Sequence, residues 1–168
     1  HGRMIDMALR EQVAQANADL VKAGLVTLSF GNVSGVDREA NALIIKPSGV
    51  ACDAVQPEDL VVVSLEDGRV LEGTMRPSSD TPTHLRLYQA FPNLGGVVHT
   101  QSSFAAAFAQ AGMDIPALGT THADPFSGDV PTSRLMTQTE IEGESELETG
   151  NVIVETITSR TEEALRLP

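Results

Sequence analysis

A single cysteine in 168 residues, Cys52, excludes an internal disulfide. A lone thiol of this kind reads as a small interior side chain and agrees with a reducing compartment. Basic residues are scarce as well: 11 Lys and Arg stand against 23 Asp and Glu, a formal net charge of −12. Phosphate backbones and anionic lipids are bound through clustered Lys and Arg, so neither nucleic acid nor a membrane surface is an expected partner. A small phosphorylated ligand stays compatible, because backbone N–H groups and one or two cations are enough to hold it. No run of about 18 apolar residues occurs, and the start shows no pattern of a secretory signal, so the expected location is the cytoplasm. Internal repeats, linkers and low-complexity tracts are missing too.

What is present is ordinary globular composition, 41% hydrophobic and 20% charged, at a length that suits one domain with a real core. His1-Gly2-Arg3 resembles a vector remnant, which leaves 4–168 as the expected domain. Leu9, Val13, Ala16 and Leu20 recur at helical spacing ahead of Gly24, predicting an opening amphipathic helix. The stretch 25–30 is short and β-prone; Gly31-Asn32 then turns the chain, and 33–35 and 42–45 read as strands. Two further strands, 61–65 and 69–71, flank Glu66-Asp67-Gly68, a tight hairpin turn. A helix over 82–90 follows, with Asp80 or Thr81 as its cap, then a strand ending at His99 and an apolar helix over 104–110 capped by Ser102 or Ser103. The segment 120–125 reads as a loop, Thr137-Gln138-Thr139-Glu140 as a capping box, and 151–157 as a last strand. This order predicts an α/β fold with a mixed, largely antiparallel sheet between helical layers.

The chemistry gathers in Arg76-Pro77-Ser78-Ser79-Asp80-Thr81-Pro82-Thr83-His84 and in Gly95-Gly96-Val97-Val98-His99-Thr100-Gln101. A strand ending in histidine and a helix start carrying hydroxyls and a carboxylate put donors at element ends, where a rigid scaffold can aim them. Asp80 offers a hard oxygen and His99 a borderline nitrogen, a mixture suited to zinc or manganese. On a continuing strand residue 101 shares the face of His99, but the residue there is Gln101, whose amide is a weaker, neutral ligand than imidazole. Taken alone, Asp80 is as easily a helix cap, His99 a satisfied core histidine and Asp124 a turn residue before Pro125.

Together with Gly31-Asn32-Val33-Ser34, Lys46-Pro47-Ser48-Gly49-Val50, Gly119-Thr120-Thr121-His122-Ala123-Asp124 and Glu148-Thr149-Gly150-Asn151-Val152-Ile153-Val154-Glu155, these stretches resemble the class II aldolase/adducin family. The similarity runs in order through nearly all of 8–157 and is strongest toward the family's sugar-phosphate 4-epimerases. It implies a three-layer α/β/α fold, C-terminally short here, and a homotetramer with active sites between subunits. It also implies a small phosphorylated sugar as substrate, contacted by Gly31, Asn32, Lys46, Ser48, Gly49, Ser78 and Ser79, chiefly at the phosphate. Asp80, His99 and position 101 correspond to metal ligands, for zinc or alternatively manganese, and Asp124 to a catalytic acid/base. A further histidine and a tyrosine of the pattern fall beyond Pro168. Asp at position 80, where the family's aldolases tend to carry Glu, favours epimerisation over simple aldol cleavage, and Gln101 leaves room for a non-catalytic, adducin-like role.

Overall fold

Helix α1 (Met7–Lys22) starts where Asp6 Oδ1 accepts the Ala8 N–H at 3.1 Å, and it ends before Gly24, which takes a φ of +68°. In the computed structural model, which describes residues 5–123 and 128–166, the chain forms two compact units, His1–Gln101 and Ser102–Pro168. The first holds a five-stranded sheet of β1 (Asn32–Asp37), β2 (Ala42–Ile45), β3 (Val61–Ser64), β4 (Val70–Glu72) and β5 (Gly96–His99), ordered β4-β3-β2-β1-β5. Every described pairing is antiparallel, so nothing among the described residues makes the sheet mixed.

Alternation along the strands divides the core in two. On one face Ala42, Ile44, Leu60 and Val62 pack with Val13 and Ala14 of α1. Gly35 faces the same way, and a Cβ there would lie 2.8 Å from Val13 Cγ2, so the missing side chain lets α1 sit close to β1. On the other face Leu43, Ile45, Val61 and Val63 pack with Tyr88 of α2 (Thr81–Ala90), which gives this unit helices on both sides of the sheet. Leu43, Ile44 and Ile45 are completely buried, each contributing about 1.5–3 kcal/mol of hydrophobic stabilisation. The Asn17 amide meets both backbone groups of Val33, and Arg38 takes the carbonyls of Tyr88, Phe91 and Leu94 where α2 ends.

Several expectations change. The stretch 25–30 forms no strand; Leu28 takes a left-handed φ of 57° there, which a strand excludes. In the hairpin only Gly68 has positive φ, and the turn is wider than a two-residue one, with Gly68 N–H donating to Ser64 O.

In the second unit α3 (Ser103–Gln110) is capped by Ser102 Oγ, and Thr137 and Glu140 form the reciprocal capping box of α5 (Gln138–Glu142). The loop expected at 120–125 contains a short helix, α4 (Thr120–Ala123). The strand expected at 151–157 is instead part of α6 (Ser145–Arg166). Its β-branched residues cost only a few tenths of a kcal/mol each in a helix. Glu146 and Glu148 in the first turn favour the helix dipole, and the Thr149 and Thr156 hydroxyls bond back to the carbonyls of Ser145 and Val152. None of the described helices is long and apolar enough to cross a membrane.

Candidate active site

The start of α2 lies beside the ends of β1 and β5, where Asn32 and His99 are register partners. Asp80 occupies the cap position of α2 but makes no side-chain cap bond. Capping falls to Ser78 instead, whose carbonyl accepts the Thr81 N–H at 3.1 Å and whose hydroxyl accepts the Asp80 N–H at 3.3 Å. The Asp80 carboxylate is therefore released: Oδ2 accepts from Asn32 Nδ2 at 2.8 Å and from His99 Nδ1 at 2.9 Å. The bond from His99 holds the Asp80 carboxyl below its ordinary range against the opposing effect of burial, and the same bond raises the His99 imidazole.

Two loops far apart in sequence are stitched together next to this pair. Ser48 N–H donates to Arg76 O at 2.9 Å and Ser78 N–H to Lys46 O at 3.0 Å, around a bridge between Pro47 and Pro77. The Ser48-Gly49 and Ser78-Ser79 pairs thus sit on adjoining strands of chain, with Ser79 and Gly49 exposed and Ser78 buried. Lys46 is buried; its ammonium donates to the carbonyls of Pro47 and Val50, and burial lowers its pKa despite Cys52 and Asp80 nearby. Its charge is turned into its own loop, a placement that spacing alone did not suggest. Buried Cys52 sends its thiol to Gly31 O at 3.3 Å.

Gly31 has a φ of +81°, and a Cβ on it would lie 2.4 Å from Val26 Cγ1 and 3.0 Å from His99 O. Gly31→Ala should therefore destabilise the protein by about 2 kcal/mol or more, from left-handed strain together with the clash. A thermal melt unchanged from that of the parent would show that the 26–31 segment yields freely.

Behind Asp80 lies a buried chain that sequence reasoning passed over. Ser34 Oγ is 2.7 Å from His84 Nδ1 and 2.8 Å from Tyr88 OH. Desolvation lowers His84 to about 4 and raises Tyr88 to about 12. The signal was available: Asp80, His84 and Tyr88 recur every four residues on one helical face, opposite Asn32 and Ser34 on one strand face. Four helical residues and two strand residues advance the chain by nearly the same length, about 6–7 Å, so the polar groups pair in step.

The expectation for Gln101 changes as well. β5 ends at His99, so strand alternation does not carry 101 onto the same face; Gln101 is exposed, and its N–H donates to Leu25 O. Asp124 lies outside the described residues. His122 donates from Nε2 to Gly128 O at 2.8 Å. Asp80 and His99 fit a divalent ion in donor type, oxygen plus imidazole nitrogen, but among the described residues no cluster of three His, Cys, Asp or Glu surrounds them.

An antiparallel sheet with helices on both faces is an α/β architecture that the chain shares with class II aldolases. The chain belongs to the class II aldolase and adducin family: the model of that family's N-terminal domain matches residues 11–166. Members of the family generally use a divalent metal. The chain is 59% identical over 149 residues to the L-ribulose-5-phosphate 4-epimerases UlaF of Salmonella paratyphi B and Salmonella typhi; the match takes in 89% of this chain and 65% of each relative. In structure it is similar to an L-fuculose 1-phosphate aldolase, with a TM-score of 0.74 and 25% identity over 88% of this chain and 69% of the other. The L-fuculose-1-phosphate aldolase of Thermus thermophilus shares the fold at a TM-score of 0.68, with 23% identity over 88% of this chain and 72% of the other.

Proposed function

We propose that the chain carries an L-ribulose-5-phosphate 4-epimerase-like site, which inverts C4 by retro-aldol cleavage and re-addition to give D-xylulose 5-phosphate. The observation that carries this reading is the Asp80–His99 pair beside Asn32 and Ser78, in a chain 59% identical to UlaF. The family match across both units supports treating 4–168 as one class II aldolase-like domain.

In this reading Ser48, Gly49, Ser78 and Ser79 contact the phosphate, helped by the positive end of α2, while Gly31, Asn32 and Lys46 shape the adjoining wall. Asp80 and His99 would hold a divalent ion, zinc or alternatively manganese, and the Gln101 amide, exposed just past the end of β5, would have to turn toward them to serve as a neutral third donor. When bound, such an ion supplies Lewis-acid charge beside the ketone and its neighbouring hydroxyl. Asp124 takes the proton of the C4 hydroxyl as C3–C4 breaks, the C4–O bond becomes a carbonyl, and the bonding pair remains with C3 as an enediolate. The glycolaldehyde phosphate turns, C3 re-attacks its other face, a water on the opposite side gives a proton to the new alkoxide, and the proton held on Asp124 neutralises the hydroxide so formed. No oxidant or reductant is needed.

Ser79→Ala should raise KM for L-ribulose 5-phosphate about ten- to a hundredfold, since a hydrogen bond to a charged group contributes about 1.5–3 kcal/mol. Ser79 is the cleaner probe because buried Ser78 also serves Asn32 and Asp80. An unchanged KM in active protein would remove Ser79 from the phosphate site. A coupled assay for D-xylulose 5-phosphate with added zinc or manganese tests the reaction itself, and cleavage without epimerisation would favour the sugar-phosphate aldolase reading that the L-fuculose 1-phosphate aldolase fold supports. Metal-free, inactive protein would favour the adducin-like assembly role that Gln101 suggests. A cytoplasmic homotetramer with sites between subunits and a place in arabinose catabolism complete the proposal. Exposed Phe104, Leu118 and Leu135 in the second unit support contact between copies.

A further inference from the structure

Asp80 and His99 face each other from different elements, and the pair does not hold that geometry by itself. The Asp80 and His99 side chains are 28% and 44% exposed, and an ion pair that open to water contributes little of its own. His99 is tied to β1 by the backbone ladder, in which it partners Asn32 while Val97 partners Ser34. Helix α2 has no such tie: among the described residues none of its backbone groups bonds to the sheet. It reaches the sheet through side chains. Leu85 and Tyr88 pack with Leu43 and Val63, which holds the helix down, but apolar contact is non-directional and does not aim a carboxylate.

The polar contacts are directional. Asp80 Oδ2 accepts from Asn32 Nδ2 at 2.8 Å, and one helical turn further along Ser34 Oγ lies 2.7 Å from His84 Nδ1 and 2.8 Å from Tyr88 OH. Ser34, His84 and Tyr88 are each at most 1% exposed, so water does not compete for these bonds. A phenol is a stronger donor and a weaker acceptor than an alkyl hydroxyl; Tyr88 O–H therefore donates to Ser34 Oγ, and Ser34 O–H to His84 Nδ1. A leucine at 84 would fill similar space without burying a polar ring, and what the imidazole supplies beyond that is the bond to Ser34. We infer that His84 is a positioning residue for the Asp80–His99 site: bonded to Ser34, it sets the placement of α2 along β1 that delivers the Asp80 carboxylate to His99. The inference rests on reading Asp80 and His99 as one site and adds the group that keeps them in register. Such sites need their groups held to about 0.5 Å, a tolerance that locked hydrogen bonds meet.

The test reads the pair in chelator-treated full chain, by nitrogen NMR of the His99 ring at a pH where it is neutral. A carboxylate only accepts, so Asp80 holds this ring as the Nδ1–H tautomer, whereas an unpaired ring prefers Nε2–H; Asp80→Ala supplies the unpaired reference. His84→Leu and Ser34→Ala should lose most of the Nδ1–H signal. His84→Asn should keep it, because the asparagine amide lies about as far from the backbone as Nδ1 and renews the bond to Ser34. Ile44→Val, which trims the opposite face of the sheet, should lower the melting temperature and leave the signal intact, separating positioning from lost stability. An undiminished signal in folded His84→Leu and Ser34→Ala would overturn the inference, as would equal loss in His84→Leu and His84→Asn. If His84→Leu does not fold, Ser34→Ala decides by the same reading. A parent ring indistinguishable from that of Asp80→Ala would remove the pair, and the inference with it. An inactive parent with the Nδ1–H signal in place counts against the reaction proposed above and not against this role of His84, since the measurement needs neither metal nor turnover.

Discussion

Between pH 7 and pH 4.5 the protein should lose about 2 kcal/mol of stability through His84 alone. Its imidazole is 1% exposed and desolvation lowers its pKa from 6.5 to about 4, so the folded state holds it neutral where an unfolded chain would protonate it. The unfolded state therefore binds more protons across this window, and stability falls as pH drops from about 6.5 toward 4. His99 works in the opposite sense: its pKa is raised by the bond to Asp80, so its contribution is complete below the ordinary histidine value and is lost as pH rises through the folded one. Asp80 is lowered and contributes above the ordinary carboxylate value, losing that contribution only at more acidic pH. Urea unfolding at the two pH values separates these effects. His84→Gln should remove most of the acid loss, whatever it costs at pH 7, and His99→Gln should enlarge it. An acid loss of the same size in parent and His84→Gln would place the sensitivity elsewhere.

Gln101→His should tighten zinc binding by about two orders of magnitude. Four-ligand structural zinc sites bind with about 10–16 kcal/mol, on the order of 3 kcal/mol per ligand, and the substitution exchanges a neutral amide for an imidazole. Residue 101 follows the end of β5 and is exposed, so the new ring has room to turn toward His99, and its backbone stays anchored through the bond to Leu25 O. Competition against a chromophoric chelator measures the gain, and Asp80→Ala or His99→Ala in the same background should abolish most of it. Equal affinities for the parent and the Gln101→His variant would mean that position 101 does not reach the ion bound at Asp80 and His99.

Local sequence signals determined most elements directly. Leu9, Val13 and Leu20 at helical spacing, Gly24 after them, Pro82 in the first turn of α2 and the Thr137–Glu140 capping box act through neighbours within a few residues, so the chain alone was enough. The pairing of Asp80 with His99 was also legible, because both sit at element ends. Three things belonged to the tertiary structure. The β-branched run at 151–157 is helical because the start of α6 and its backbone bonding outweigh a small local preference for strand. Lys46 points its ammonium at the carbonyls of its own loop because burial leaves it nowhere else to find acceptors. The Asn32 amide turns its donors toward Asp80 and leaves its acceptor unmet. That orientation depends on a carboxylate 48 residues away in sequence, which no periodicity within β1 could reveal.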